Sequence, residues 1–372
     1  MRDVIFRLAR PMLRLLGRDD RGAVAALVAI LLGGGVLLGI GALVLDVGRL
    51  YQNRAELQNG ADAAALAVAK NCALTISTCT LTNATSTAAS YAGYNASQLT
   101  GHSAGVYGIC VSTVGSPSFT IGACPPLGTT SMTNCPPNPA GTNYVDVKTY
   151  TKVGSSHVLT PVFAHGGTVY ACAQAEWGAA LQSNSLALTI SYCDWQNLTS
   201  GGNPFGTLIP VYLKGTTEKP CSGPAGQNLP GGFGWLSPTT GSVCTAAIDL
   251  TTNTTGSDPG NNVSAACKQL LQTFINAYNA GNPVTVFLPV FGSTSGTGKN
   301  ATYTLIGVAG FVVTGYSDLS GGGGQNNYGP TNTLCKAKNP CVEGYFKPGL
   351  DPVSDYIGSG TNFGAIAVRL SG

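Results

Sequence analysis

DVGRLYQNRAELQNGADAAALA, residues 46–67, follows directly on AVAALVAILLGGGVLLGIGALVL, residues 23–45. No turn signal separates the charged, alanine-rich stretch from the apolar one. Residues 23–45 carry no charge, and about 20 helical residues at 1.5 Å each suffice to span a hydrocarbon core. Residues 46–70 contain no proline and two glycines, Gly48 and Gly60. Alanine, leucine, glutamine and arginine, all strong helix formers, fill the stretch. Val47, Leu50, Tyr51, Leu57, Ala61, Ala64, Ala65 and Val68 recur along one helical stripe. Asp46 and Arg49 stand three apart, where they can pair. The pattern predicts one helix from Ala23 to Lys70, roughly 70 Å long. Its first half would dissolve in lipid, and its second would lay a small-residue face on something else. Gly33, Gly34 and Gly35 predict a local bend.

Arg2, Arg7, Arg10, Arg14, Arg18 and Arg21 precede the apolar run, against Asp3, Asp19 and Asp20. By the positive-inside rule the amino terminus faces the cytoplasm and the rest is exported. A signal peptide has an apolar region of about 7–15 residues with a small-x-small site close behind. Here the run is longer, and the first such site lies near Ala61–Ala63. A signal anchor fits better. Gly35 and Gly39 form a G-x-x-x-G row that would allow close helix packing in the membrane. Glycine is also simply common in such helices.

Twelve cysteines, Cys72, Cys79, Cys110, Cys124, Cys135, Cys172, Cys193, Cys221, Cys244, Cys267, Cys335 and Cys341, all lie after the apolar run. None forms C-x-x-C, so zinc and thioredoxin-type readings are weak. An even, scattered set on the exported side reads as disulfides, with the pairing open. Charged residues make up 9% of the chain, against about 25% in ordinary soluble domains. The net charge of +3 lies mostly in the leading tail, so no nucleic-acid-binding stripe is present.

The spacing divides the chain into five stretches: a basic tail (1–21), a transmembrane helix (22–45), a stalk helix (46–70), an exported α+β region (71–180) and a Cys-rich, mainly β region (181–372). Residues 83–99 read as a second small-residue helix able to lie on the stalk stripe. Strands are expected at 143–153, 168–177, 186–193, 208–213, 284–291, 302–316 and 365–370. Residues 266–281 read as a helix, with Leu270, Leu271, Phe274, Ile275 and Tyr278 on one face and Gly281 as the stop. Residues 320–327 read as a flexible loop.

Catalytic constellations are sparse. His102, His157 and His165 lack metal-ligand spacing. His165-Gly-Gly has the look of an oxyanion loop, but GSTSG at 292–296 puts Thr294 where a nucleophilic serine would stand. Isolated acids such as Asp146, Glu176, Asp194 and Glu343 read as turn, cap or solvated residues, although a carboxylate pair could assemble in space. Trp195, Phe233 and Trp235 read as core before sugar platforms. No cofactor or metal is expected.

Residues 21–69 resemble the amino-terminal Tad domain of TadE/TadG-like proteins of the Flp pilus assembly system. The likeness rests on Gly22 before the span, Asp46 after it, then Gly48, Tyr51, Leu57, Gln58, Asp62, Ala63, Ala64, Ala65, Leu66 and Ala67. The remainder is similar, more loosely, to actinobacterial TadG-related proteins through GGFGWL (231–236), the 303–316 block and CVEGYF (341–346). The resemblance implies a membrane-anchored, non-catalytic structural or assembly component of a Tad/Flp-type pilus. Its partners would be the bilayer and other pilus membrane proteins. A homo- or hetero-oligomer would form through the stalk face of Asp46, Tyr51, Leu57, Gln58, Ala61, Asp62, Ala64 and Ala65. Two departures stand out. No D-x-S-x-S site of a von Willebrand A domain is complete at Asp249 or Asp318, and Leu27 stands where a processed pilin carries glutamate. The competing reading is an exported, membrane-tethered hydrolase or an adhesive head.

Overall fold

A computed structural model describes residues 20–95, 104–113, 120–121, 135, 137, 142–152, 168–199, 206–212, 220–229, 231–238, 243–252, 254–256, 264–296, 302–317, 319, 334–335, 340–352, 357–358 and 361–371. It is a mixed α+β fold. The helical part opens with α1 (Asp20–Gly33) and α2 (Val36–Leu74), a 3-10 turn (Ile76–Thr78) and α3 (Leu81–Asn95). The expected single helix is therefore two. Gly34 and Gly35 form a turn between α1 and α2, and Gly35 adopts φ 70°. That left-handed conformation suits a residue without Cβ. The bend falls where three consecutive glycines place it. Divided in this way, no helix among the described residues is long and apolar enough to cross a membrane by itself.

Four strands follow: β1 (Gly105–Ser112), β2 (Thr120–Ile121), β3 (Asn143–Lys152) and β4 (Thr168–Ala180). The chain then runs through β5 (Gln182–Leu186), β6 (Leu188–Ser191), α4 (Tyr192–Thr199), β7 (Ile209–Tyr212), β8 (Cys221–Ser222), β9 (Asn228–Leu229), β10 (Phe233–Trp235), β11 (Thr245–Asp249) and β12 (Thr254–Gly256). It continues with α5 (Ala265–Asn279), β13 (Thr285–Ser295), β14 (Thr302–Ser317) and β15 (Cys341–Phe346), and closes with β16 (Gly349–Leu350), β17 (Ile357–Gly358) and β18 (Ala365–Leu370).

These strands build two larger sheets. The first has the order β16-β18-β4-β3-β1-β2, with β17 also on β4; the second has the order β10-β6-β13-β14-β15-β7, with β12 on β14. Residue numbers alone place 365–370 with the second region. In the structure β18 pairs with β4 from Ile366↔Ala179 to Leu370↔Ala175. The chain thus leaves the first sheet after Ala180, builds the second, and returns.

Side-chain alternation explains which face of the first sheet meets the helices. Val145 and Val147 of β3, with Ala171, Ala173, Ala175 and Trp177 of β4, share one core with α2 and α3. The opposite register positions carry Asp146 and Lys148, with Cys172, Gln174 and Glu176 beside them. The second sheet encloses the larger core, with Phe233, Leu288, Phe291 and Phe311 fully buried. The apolar stretch inside residues 302–316 is a buried strand, as its β-branched and aromatic content predicts. Helix α5 buries Leu271 and Ile275, packs Leu270 and Phe274 at the edge, and stops at Gly281 with φ 79°. Ser264 caps its start by accepting from the Cys267 amide. One expected strand is shorter than its pattern: 186–193 gives β6, and Tyr192 onward turns into α4.

Five disulfides join Cys72–Cys79, Cys135–Cys172, Cys193–Cys221, Cys244–Cys267 and Cys335–Cys341. Cys110 is also disulfide-bonded, and Cys124 lies outside the described residues. Residues 1–19 of the basic tail, His102, His157, His165 and the 320–327 loop lie outside them as well.

Candidate interaction faces of the long helix

Helix α2 changes character along its length. From Val36 to Tyr51 its large apolar side chains, among those described, are exposed. Ile40, Leu43, Val44, Leu45 and Val47 are exposed, and Tyr51 is 70% exposed. Helix α1 continues this surface, with Val24, Leu27, Val28 and Leu32 exposed and Ile30 at 72%. Isolated exposed apolar residues need no explanation, but a continuous surface of them marks contact with lipid or another protein. Nothing surrounds Gly39 where a Cβ would stand, and the same holds for Gly35.

The second half of α2 is covered. Leu57, Ala61, Ala64, Ala65 and Ala69 are fully buried. Their neighbours are Val145, Val147, Ala171, Ala173, Ala175, Trp177 and Ile366 of the sheet, and Ala84, Ala88 and Ala92 of α3. Alanines on both sides let the backbones come close, which larger side chains would prevent. At Gly60 the approach is close, with the Ala92 carbonyl oxygen 2.9 Å from where a Cβ would stand. The small-residue stripe expected to bind a partner is thus occupied by the chain's own α3 and sheet. Its Leu57, Ala61, Ala64 and Ala65 belong to an internal core.

Polar residues fix the register of this packing. Gln58 donates from Nε2 to Asp62 Oδ1 at 2.8 Å and to the Cys172 carbonyl at 2.9 Å. Its amide therefore ties the helix to β4. Thr149 donates from Oγ1 to the Leu57 carbonyl at 3.3 Å, tying the helix to β3. Sequence reading found Gln58 and Asp62 but missed Thr149 and the role of Gly60. A lone glycine within alanine-rich helix was the available signal. Of the proposed interaction residues, Tyr51 alone combines a described side chain with wide exposure. The side chains of Asp46 and Arg49 lie outside the described residues.

Residues 22–71 match the family model described as putative Flp pilus-assembly TadE/G-like. The segment is TadE/G-like. The Tad match therefore ends at Asn71, beside the Cys72–Cys79 bridge that turns the chain into α3. It spans both the exposed and the covered half of α2. No curated protein and no solved structure matches the chain.

Beyond the Tad segment, the described carboxylates are engaged in the fold. Glu176 accepts from Arg369 Nε at 2.7 Å and from Thr142 at 3.0 Å. Asp194 accepts from the Gly232 amide. Burial pushes the Asp146 carboxyl up, against the Lys148 ammonium 3.5 Å away, which pulls it down. Burial also raises Glu343, offset in part by the amides of Leu334 and Cys335 and the Thr314 hydroxyl. The half-buried Asp249 carboxyl is held below its ordinary value, chiefly by the Thr251 hydroxyl and then by its amide. Among the described residues no three His, Cys, Asp or Glu side chains gather as metal ligands.

Proposed function

We propose that the protein is a membrane-rooted, non-catalytic structural or assembly component of a Tad/Flp-type pilus system, with its head exported. The observation that carries this reading is the division of α2. The Tad-matching helix packs into the head from Leu57 onward, whereas Val36, Ile40, Leu43, Val44, Leu45 and Val47 before Tyr51 are exposed. Residues 23–45 are uncharged, and lipid is the medium that accepts such a surface on all sides. In a bilayer α1 and the start of α2 together form the span, bent at Gly34–Gly35. Six arginines before that span keep the amino terminus in the cytoplasm. The disulfides described, all after the span, suit an oxidising compartment outside.

Because the alanine stripe is internal, partner contacts in this reading fall to the apolar rod and to Tyr51, with Asp46 between them. The test is a deletion strain. Electron microscopy counts surface fibres, and sheared fibres are probed for this protein. Fibre loss, with the protein staying in the membrane fraction, is expected. Normal fibres in the deletion strain would remove the assembly role.

A further inference from the structure

Strand β18 occupies a slot inside the first sheet, between β4 and β16. It pairs antiparallel with β4 over five residues, Ile366 to Leu370, and parallel with β16 at Ala365 and Ile366. Both cores depend on it. Ile366 is buried with Leu57, Ala61 and Trp177 on the helix side, while Ala365 and Ala367 are buried with the second sheet. Three further bonds fasten the strand: Arg369 to Glu176, the Ser371 amide to the Gln174 carbonyl at 2.9 Å, and the Asp351 amide to the Ile366 carbonyl at 2.9 Å.

We propose that β18 is a latch for the layer that carries the Tad helix. Residues 36–180 contain α2, α3 and β1–β4, but without β18 that layer lacks one wall of its core and leaves the edge of β4 unpaired. The slot then takes an extended segment with small and branched apolar residues at alternating positions. Such strand addition draws affinity from main-chain hydrogen bonds and specificity from alternate side-chain pockets. Ala179 and Ile366 are paired across the sheet yet separated in sequence by the whole second unit. Their pairing is therefore a long-range contact of the kind that forms slowly. Until it forms, the open β4 edge is a template for another strand, including β18 of a second copy. Joined to the export reading above, the latch delays closure of the membrane-rooted layer until the inserted unit has crossed. This last step rests on that reading, whereas the latch does not.

The experiment compares the full chain with a chain stopped after Thr361, both expressed with the apolar segment intact and assayed in detergent. Proteolysis within residues 54–74 is timed with and without a synthetic peptide of residues 361–371. Loss of protection in the stopped chain, restored by the peptide and not by its Ile366→Lys form, is expected. A stopped chain as resistant as the full one overturns the latch, and so does failure of the peptide to restore protection. Membrane fractionation of the full chain tests the export reading separately: recovery in the soluble fraction sinks the export step without changing the peptide result.

Discussion

Gly60 and Ala92 meet backbone to backbone, so that a Cβ on Gly60 would lie 2.9 Å from the Ala92 carbonyl oxygen and 3.3 Å from its Cα. Two opposed effects act on any substitution there. A helical glycine costs about 1 kcal/mol relative to alanine. A side chain, however, must push apart two helices whose faces are already packed with alanine. For Gly60→Leu the overpacking wins, at about 1–3 kcal/mol. Gly93 supplies the control, since it lies in α3 with nothing within 4 Å of its Cβ position. Gly93→Ala is expected to leave stability unchanged or to raise it by about 0.5–1 kcal/mol. Thermal melts of the detergent-solubilised protein check both. Equal effects at the two glycines would mean that α3 does not seat on α2 as described.

Disulfide removal should rank by the chain length each bridge closes. Cys72–Cys79 spans 7 residues and Cys135–Cys172 spans 37. The chain-entropy relation gives about 2.4 kcal/mol for the first and about 3.8 kcal/mol for the second. Paired Cys→Ser variants measured by denaturant unfolding test the order. A larger loss at Cys72/Cys79 would show that the turn into α3, rather than loop entropy, governs this end of the fold.

Much of this was legible in the sequence, for reasons that differ by element. The α2 stripe and α5 carry clear helical periodicity, the long β14 carries β-branched and aromatic content, and each appears where its pattern puts it. The glycine triplet foretold the bend but not its consequence, two helices in place of one. The fate of the alanine stripe was legible in part: residues 83–99 read as a helix able to lie on it, and α3 does so, but the share of the sheet was hidden. Periodicity shows that a face will be covered, not whether the cover comes from the same chain. Nor can local pattern show that β18 belongs beside β4, because strand neighbours far apart in sequence share no local signal. The residues that tie the layers, Thr149 and Gly60, are individually ordinary and gain their roles only from what lies opposite.

Glu343 gives the fold a pH dependence of defined sign. It is fully buried, and burial raises its carboxyl above the ordinary value. The folded state therefore holds its proton more tightly than the unfolded chain, whose glutamates titrate near about 4.3. As pH rises from that value through the folded one, this residue's contribution falls, because a buried charge forms. Glu343→Gln keeps an acceptor for the Leu334 and Cys335 amides and cannot ionise. Its melting temperature relative to the native chain should improve from pH 4 to pH 7, values set about the carboxylate range. The same difference at both pH values would remove Glu343 as a source of pH dependence.

The apolar rod supplies the prediction that bears most directly on membrane attachment. Leu32 and Val36 flank the Gly34–Gly35 turn, and both side chains are exposed. Lysine near the centre of a span costs about 2.5–3.5 kcal/mol on insertion scales. The double variant Leu32→Lys, Val36→Lys should therefore lose roughly 5–7 kcal/mol of membrane preference if the costs add. The head should be indifferent, because its helix-side core begins at Leu57. After carbonate washing, the native chain is expected in the membrane pellet and the variant in the supernatant, with unchanged melting of the head. Equal partitioning of the two would mean that another protein, and not lipid, covers the rod, and crosslinking from Val44 would then be the way to find it.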